Sequence, residues 1–152
     1  MPLGAADFTL PRPGDAGFIF SAQAEAVLAA NLEFYRAFAI CDLDAMDALW
    51  ARQAPVACIH PGWPPLADRP SIMESWRGIL SNSDSPRIVC YDERVFLYGD
   101  TALVICEEEL GGGTLIASNL FVRETEGWRI AHHQAGQLAV RRPPRPRSTR
   151  LN

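Results

Sequence analysis

Val56-Ala57-Cys58-Ile59-His60-Pro61-Gly62-Trp63 is an apolar run that halts at a histidine and turns on a Pro-Gly corner carrying a tryptophan. Proline cannot continue a central strand, and glycine supplies the turn. The stretch therefore reads as a short strand with His60 at its end, beside a large aromatic, where a pocket can open. A second stretch, Gly127-Trp128-Arg129-Ile130-Ala131-His132-His133-Gln134, carries the other two histidines of the chain. If both strands face one cavity, that cavity is the site.

Outward from the His60 corner, helices are expected on both sides. Ser21 is a good N-cap for a helix running to about Ile40, with Leu28, Leu32, Tyr35 and Phe38 as its apolar stripe, widened by Val27 and Phe34. Asp42 caps a second, short helix on which Leu43, Met46 and Trp50 recur at helical spacing, and Pro55 bars its continuation. Asp42, Asp44 and Asp47 crowd that helix start, where the helix dipole favours acids, so they read as capping charge rather than metal ligands. Pro70 suits the first position of a third helix, with Ile72, Trp76 and Ile79 on one face. Beyond it everything is strand-like: Arg87 to Tyr98, Thr101 to Leu110, Thr114 to Glu124 and Trp128 to about Val140, closed by short turns at Gly99-Asp100, Gly111-Gly112-Gly113 and Glu126-Gly127. Such turns make an antiparallel meander. The fold class is α+β: three helices packed on one face of a strongly curved, mainly antiparallel sheet.

A chain of 152 residues, 48% hydrophobic and 21% charged, is one domain with room for a core. Residues 1 to 21 are punctuated by proline and glycine and read as an irregular arm, 22 to 140 as the domain, and 141 to 152 as an Arg/Pro-rich tail. The net charge is -4, but Arg141, Arg142, Arg145, Arg147 and Arg150 stand in the tail with no acid, which leaves -9 on residues 1 to 140. An acidic body argues against nucleic acid as a partner. The tail reads as a solvated end dispensable for the fold, or as a contact for an acidic surface, its own or another's. No apolar run approaches a membrane span, no basic region precedes an apolar block at the N-terminus, and Cys41, Cys58, Cys90 and Cys106 lack metal-knuckle or redox spacing, which fits free thiols and a cytoplasmic location.

No metal-binding histidine spacing, nucleophile elbow or phosphate loop is present, so neither a metal nor another cofactor is expected. General acid/base candidates are His60 and His132, since imidazole titrates near neutral pH. Each also reads as a histidine satisfied within the fold. His132 and His133 point to opposite faces by alternation. His132 and Gln134 share a face with Trp128 and Ile130, which places them in the pocket and His133 on the outer face, unless a one-residue bulge inverts the phase. Asn119 on the neighbouring strand needs a partner for its amide, structural or ligand. One inward carboxylate among Glu107, Glu108 and Glu109 would make an acid-base pair with a histidine; a charged strand end in water is the commoner reading. Tyr35, Trp63 and Trp76 are pocket wall or core.

The element order, with Asn31-Leu32-Glu33-Phe34-Tyr35-Arg36-Ala37-Phe38, Asp42-Leu43-Asp44-Ala45-Met46, Ile59-His60-Pro61-Gly62, Ile72-Met73-Glu74-Ser75-Trp76 and Asn119-Leu120-Phe121-Val122-Arg123 followed by the His-His-Gln strand, resembles the SnoaL-like domains of the nuclear transport factor 2-like superfamily. The likeness covers about residues 22 to 137. It implies a cone-shaped fold, a pocket between helices and sheet for a small, mostly apolar organic molecule, and a homodimer packed through the sheets. Isomerase, cyclase, dehydratase and hydrolase chemistries occur in that superfamily, as do non-catalytic binding and assembly modules, and the fold does not choose among them.

Overall fold

The computed structural model describes residues 16 to 140 apart from 83, 85 and 86, with side chains from residue 22 onward. The expectations for the first part of the arm and for the tail lie outside these residues. Helix α1 (Ala16–Ala39) starts upstream of the expected Ser21 cap, so the last residues assigned to the arm are helical. Its buried face carries Val27, Asn31, Phe34, Tyr35 and Ala37, while Leu28, Leu32 and Phe38 flank it half-buried. The helix ends where Cys41 takes φ 57, a left-handed conformation that lets Asp42 N–H reach back to the Ala37 carbonyl at 2.9 Å. Asp42 then caps α2 (Leu43–Leu49), accepting from Ala45 N–H at 3.0 Å.

Beyond α2, Ala51 N–H bonds the Ile130 carbonyl, and strand β1 (Ala57–Ile59) follows. The Pro-Gly corner forms as expected. Trp63 N–H returns to the His60 carbonyl at 2.9 Å, and Gly62 sits at φ 78, which a side chain would strain. Cys58 and Leu66 exchange both backbone bonds, so the excursion from His60 to Pro65 is pinned at its base. Helix α3 (Arg69–Ser81) is capped by Asp68 with proline in its first turn.

Strands β2 (Val89–Tyr98), β3 (Thr101–Leu110), β4 (Gly113–Glu124) and β5 (Gly127–Gln137) form the meander. The sheet order is β1-β5-β4-β3-β2, with β1 parallel to β5 and every other pair antiparallel. The helices cover one face, on which Ala102, Val104, Cys106, Leu115, Ala117, Phe121 and Ile130 are buried. On the other face Leu103, Ile105, Ile116, Leu120 and Val122 are half-buried.

The phase of β5 changes midway. Phe121 pairs with Ile130 but Leu120 pairs with His132, so Ala131 is an extra residue on β5. Trp128 and Ile130 face the core before this bulge, and His133 and Ala135 face it afterwards. A bulge sets two residues against one and shifts every later side chain to the other face. The expected placement of His132 and Gln134 inside, with His133 outside, is thereby reversed.

Candidate functional site

His133 is 3% exposed and lies among Asn119 and Glu108 of the sheet and Asn31 and Tyr35 of α1, all buried. The hydrogen bonds run in one direction. Asn119 Nδ2 donates to Asn31 Oδ1 at 2.8 Å and to the Tyr35 hydroxyl oxygen at 3.1 Å. With both amide hydrogens engaged, Asn119 Oδ1 accepts from His133 Nδ1 at 2.6 Å, which puts the proton on Nδ1 and leaves Nε2 as an acceptor. Tyr35 donates to Glu108 Oε1 at 2.6 Å, and its oxygen lies 3.3 Å from Cys106 Sγ. His133 Nε2 stands 3.9 Å from the same Glu108 oxygen, too far for a direct bond. His133, Asn119, Tyr35 and Glu108 thus form a ring bonded on three sides and open on the fourth.

Burial governs the charges in this ring. It raises the Glu108 carboxyl to about 7, against a smaller downward pull from the Tyr35 hydroxyl. It lowers His133 to about 3, helped by the neighbouring His60 and His132. Burial and then the Glu108 charge push the Tyr35 hydroxyl well above its ordinary range. At neutral pH the imidazole is therefore neutral, the phenol keeps its proton, and Glu108 is divided between acid and carboxylate.

His60 comes to this cluster through aromatic rings. Its ring centre is 4.9 Å from those of Trp63 and Trp76, and Trp76 stands 6.1 Å from His133, with Phe34 5.0 Å from His133 on another side. His60 Nε2 is 2.8 Å from Ser75 Oγ, and Ser75 donates to the Ile72 carbonyl at 2.7 Å. That donation uses the only hydroxyl hydrogen, so His60 Nε2–H donates to Ser75, and the pair is not a base holding a nucleophile. Burial lowers His60 to about 4, so it too is neutral. Trp76 is fully buried, and its indole N–H has no hydrogen-bond partner among the described residues.

The expected residues therefore separate. The fold brings together His60, Tyr35, Trp76 and Asn119. His132 is on the outer face, half-buried, its Nδ1 3.0 Å from the Ala57 carbonyl across the β5–β1 pairing. Gln134 is exposed beside it. Trp63 is 47% exposed and walls a groove outside α3 rather than a space between helices and sheet. That open groove has a volume of about 730 Å³ and runs along Pro70, Ser71, Glu74, Ser75 and Gly78. Trp63 and Ser75 thus touch both the groove and His60.

Glu108, His133, Asn31 and Ser75 complete the cluster: Glu108 is the inward carboxylate that the sequence offered as the less common reading of Glu107 to Glu109, His133 was expected outside, and Asn31 and Ser75 were not expected at the site. The signal for Asn31 is a polar side chain on the apolar face of α1. Glu108 shares its face with Ala102, Val104 and Cys106, but Leu103 and Ile105 make the opposite face equally apolar, so alternation alone cannot choose between them. Among the described residues no group of three or more His, Cys, Asp or Glu is placed to hold a metal ion, and no helix is long and apolar enough to cross a membrane.

The profile of the SnoaL-like domain matches residues 27 to 139. The chain is 30% identical to a candidate dehydratase of the NTF2-like family from Streptomyces avermitilis, over 79% of this chain and 99% of that one, with a TM-score of 0.72. It is 33% identical to a candidate calcium/calmodulin-dependent protein kinase type II association domain from Thiobacillus denitrificans, over 73% of this chain and 94% of that one, with a TM-score of 0.66. It is also 24% identical to F-box protein SKIP8 of Arabidopsis thaliana over 88% of its own length, and it spans 61% of that protein.

Proposed function

Because this chain belongs to the SnoaL-like family, we propose that it binds a small, mostly apolar organic molecule and moves a proton on it, with Glu108 as the group that takes and returns the proton. The observation that carries this reading is the Glu108 carboxyl, buried, held near pH 7 and donated to by Tyr35 at 2.6 Å. A proton-transfer group works best when its pKa lies near the working pH, where both of its forms are populated. Asn119 and His133 are positioning residues: they fix the Tyr35 oxygen, and with it the carboxyl. Neutral His60 and His133 leave the cluster without a cation, which favours an uncharged substrate over a carboxylate or phosphate. The groove beside Trp63 and Ser75 is the approach, and its volume falls in the usual range for organic ligands. The reaction class is proton abstraction beside a carbonyl, as in an isomerisation or a dehydration.

The test is deuterium exchange from D₂O into a panel of apolar ketones, followed by NMR. The native chain should exchange at a rate that rises through about pH 7 as Glu108 loses its proton. Glu108→Gln should lose at least about a hundredfold. His133→Ala should slow exchange and His132→Ala should not. Exchange by Glu108→Gln at the native rate would remove the carboxyl from the mechanism.

A second reading, a dimerising association module, is favoured by the uncovered sheet face of Leu103, Ile105, Ile116, Leu120 and Val122. We expect a homodimer through that face in either case. Light scattering should give twice the chain mass, and Leu120→Glu should return it to the monomer; a monomeric native chain would count against the interface.

A further inference from the structure

We propose that Trp76 holds the carbonyl oxygen of the substrate, through an indole N–H that the cluster leaves without an acceptor. This rests on the proton-transfer reading and adds its second chemical group. When the Glu108 carboxylate takes a proton from the carbon beside a carbonyl, the C–H electron pair becomes part of a C=C bond. The carbonyl π pair moves onto the oxygen, and a donor aimed at that oxygen lowers the barrier. Return of the proton from Glu108 to carbon restores the carbonyl and the carboxylate.

The other donors of the cluster are committed. Asn119 Nδ2 gives its hydrogens to Asn31 and Tyr35, His133 Nδ1–H goes to Asn119, and the Tyr35 O–H goes to Glu108. His60 Nε2–H goes to Ser75, and the Ser75 O–H goes to the Ile72 carbonyl. Asn31 Nδ2 is turned to the Cys90 sulfur at 3.8 Å. Trp76 is the exception. It is fully buried, and among the described residues its Nε1 meets no acceptor. A buried N–H in that state is costly and uncommon, and a role in binding accounts for it.

Trp50 Nε1 is orphaned in the same way, so position decides between the two indoles. Trp50 bridges to Ile130, on the part of β5 before the bulge, whereas Trp76 packs on His133, after it. The Trp76 ring centre is 4.9 Å from that of His60 and 6.1 Å from that of His133. Ser75, its neighbour on α3, lines the groove and bonds His60. A molecule entering beside Trp63 and Ser75 therefore meets His60 and Trp76 before the open side of the ring, where His133 Nε2 and Glu108 Oε1 stand 3.9 Å apart. Phe34 and Phe38 meet the indole at near-perpendicular angles, with centres 5.5 and 5.3 Å away, and hold its plane.

The experiment uses the full, isotope-labelled chain and a panel of apolar ketones, each paired with the hydrocarbon of the same shape, tetralone with tetralin among them. Proton–nitrogen correlation spectra follow the indole N–H signals. Trp50→Phe, Trp63→Phe and Trp128→Phe assign three of the four, and Trp76 follows by difference. A ketone that binds should move the Trp76 signal downfield, its hydrocarbon should not, and Trp50 should stay in place with both. The native chain should bind that ketone about threefold to tenfold more tightly than the hydrocarbon, the range of one hydrogen bond. Trp76→Phe should erase the preference, keep the hydrocarbon's affinity and slow deuterium exchange about a hundredfold. A panel in which no ketone moves the Trp76 signal would overturn the proposal, and that reading is made in the native chain whether or not the variant folds. An indole proton spent on the face of a neighbouring ring would give that result. A preference that survives Trp76→Phe would overturn it as well. Native-rate exchange by Glu108→Gln, with the Trp76 signal still moved by ketone, would remove the carboxyl and leave the oxygen site. Exchange that depends on Glu108 with an unmoved Trp76 signal would remove Trp76 alone.

Discussion

Glu108 near the end of β3 and Glu124 at the end of β4 are the same side chain on neighbouring strands, and the fold drives their acidities apart. Glu124 lies near the surface. Partial burial raises its pKa, but three backbone N–H groups, from Arg52, Gln53 and Ala54 at 2.7 to 2.9 Å, outweigh that and hold it below the ordinary range. Glu108 is buried and, among the described residues, meets one donor, the Tyr35 hydroxyl, so desolvation prevails and the carboxyl rises to about 7. A carboxylate ringed by donors is a clamp, here tying the loop after α2 to the sheet. A carboxyl buried with one donor is a proton-exchanging group. The count of donors, rather than depth alone, decides which one a site contains.

The strongest way to break the contrast is to remove the residue that orders the interior. Asn119→Ala would strand the His133 Nδ1–H and Asn31 Oδ1 in the core, at about 1–3 kcal/mol for each stranded group. Urea unfolding should therefore show a loss of about 3 to 5 kcal/mol. A loss under about 1 kcal/mol would mean the ring carries no structural weight.

The contrast sharpens with pH. Glu108 is raised when folded, so the native chain keeps a proton that the unfolded chain releases above about 4.5. Its contribution to stability is complete below about 4.5 and is lost as pH rises through about 7. Relative to Glu108→Gln, the native chain should lose on the order of 3 kcal/mol between pH 4.5 and pH 8. His60 and His133 act in the opposite sense. Lowered to about 4 and about 3, they contribute stability above their unfolded value near 6.5 that is lost as pH falls. They are present in both proteins and cancel in the difference, which urea melts at several pH values would measure.

The smallest effect belongs to the clamp. Glu124→Ala should cost about 1–2 kcal/mol at pH 7, since its three donors can turn partly to water. Because the Glu124 pKa is lowered in the fold, its contribution is present above about 4.5 and lost as pH falls through the depressed value. The difference between native and variant should therefore shrink in acid. A difference that grew in acid would reverse the assignment of clamp and exchanger.

Most of the fold was legible because its punctuation is local. The Asp42 and Asp68 caps, Pro70, the Pro61-Gly62 turn and the Thr101–Leu110 strand each depend on a few adjacent residues. The start of α1 was less so: proline and glycine before Ser21 read as breakers, yet Gly17 lies within the helix. Half of the site was legible on the same terms, as His60, Asn119, Tyr35 and Trp76. The other half depends on tertiary choices. The bulge at Ala131 decides which of two adjacent histidines is buried, and no neighbouring residue announces it. The inward turn of Glu108 depends on which of two apolar faces of β3 the helices cover.

The parallel pairing of β1 with β5 also bears on the order in which this molecule is assembled. The meander from Val89 to Gln137 closes through neighbouring hairpins, which form early in a folding chain. β1 joins it through three residue pairs, Ala57 with His132, Cys58 with His133 and Ile59 with Gln134, across a sequence gap of 75. So wide a loop closes slowly, and so short a strand is the easiest to release again. His133 and Glu108 are thus set by the early hairpins, whereas His60 arrives with the last strand. The cluster is whole only in the finished fold, and amide hydrogen exchange is expected to show the segment carrying His60 opening before the meander.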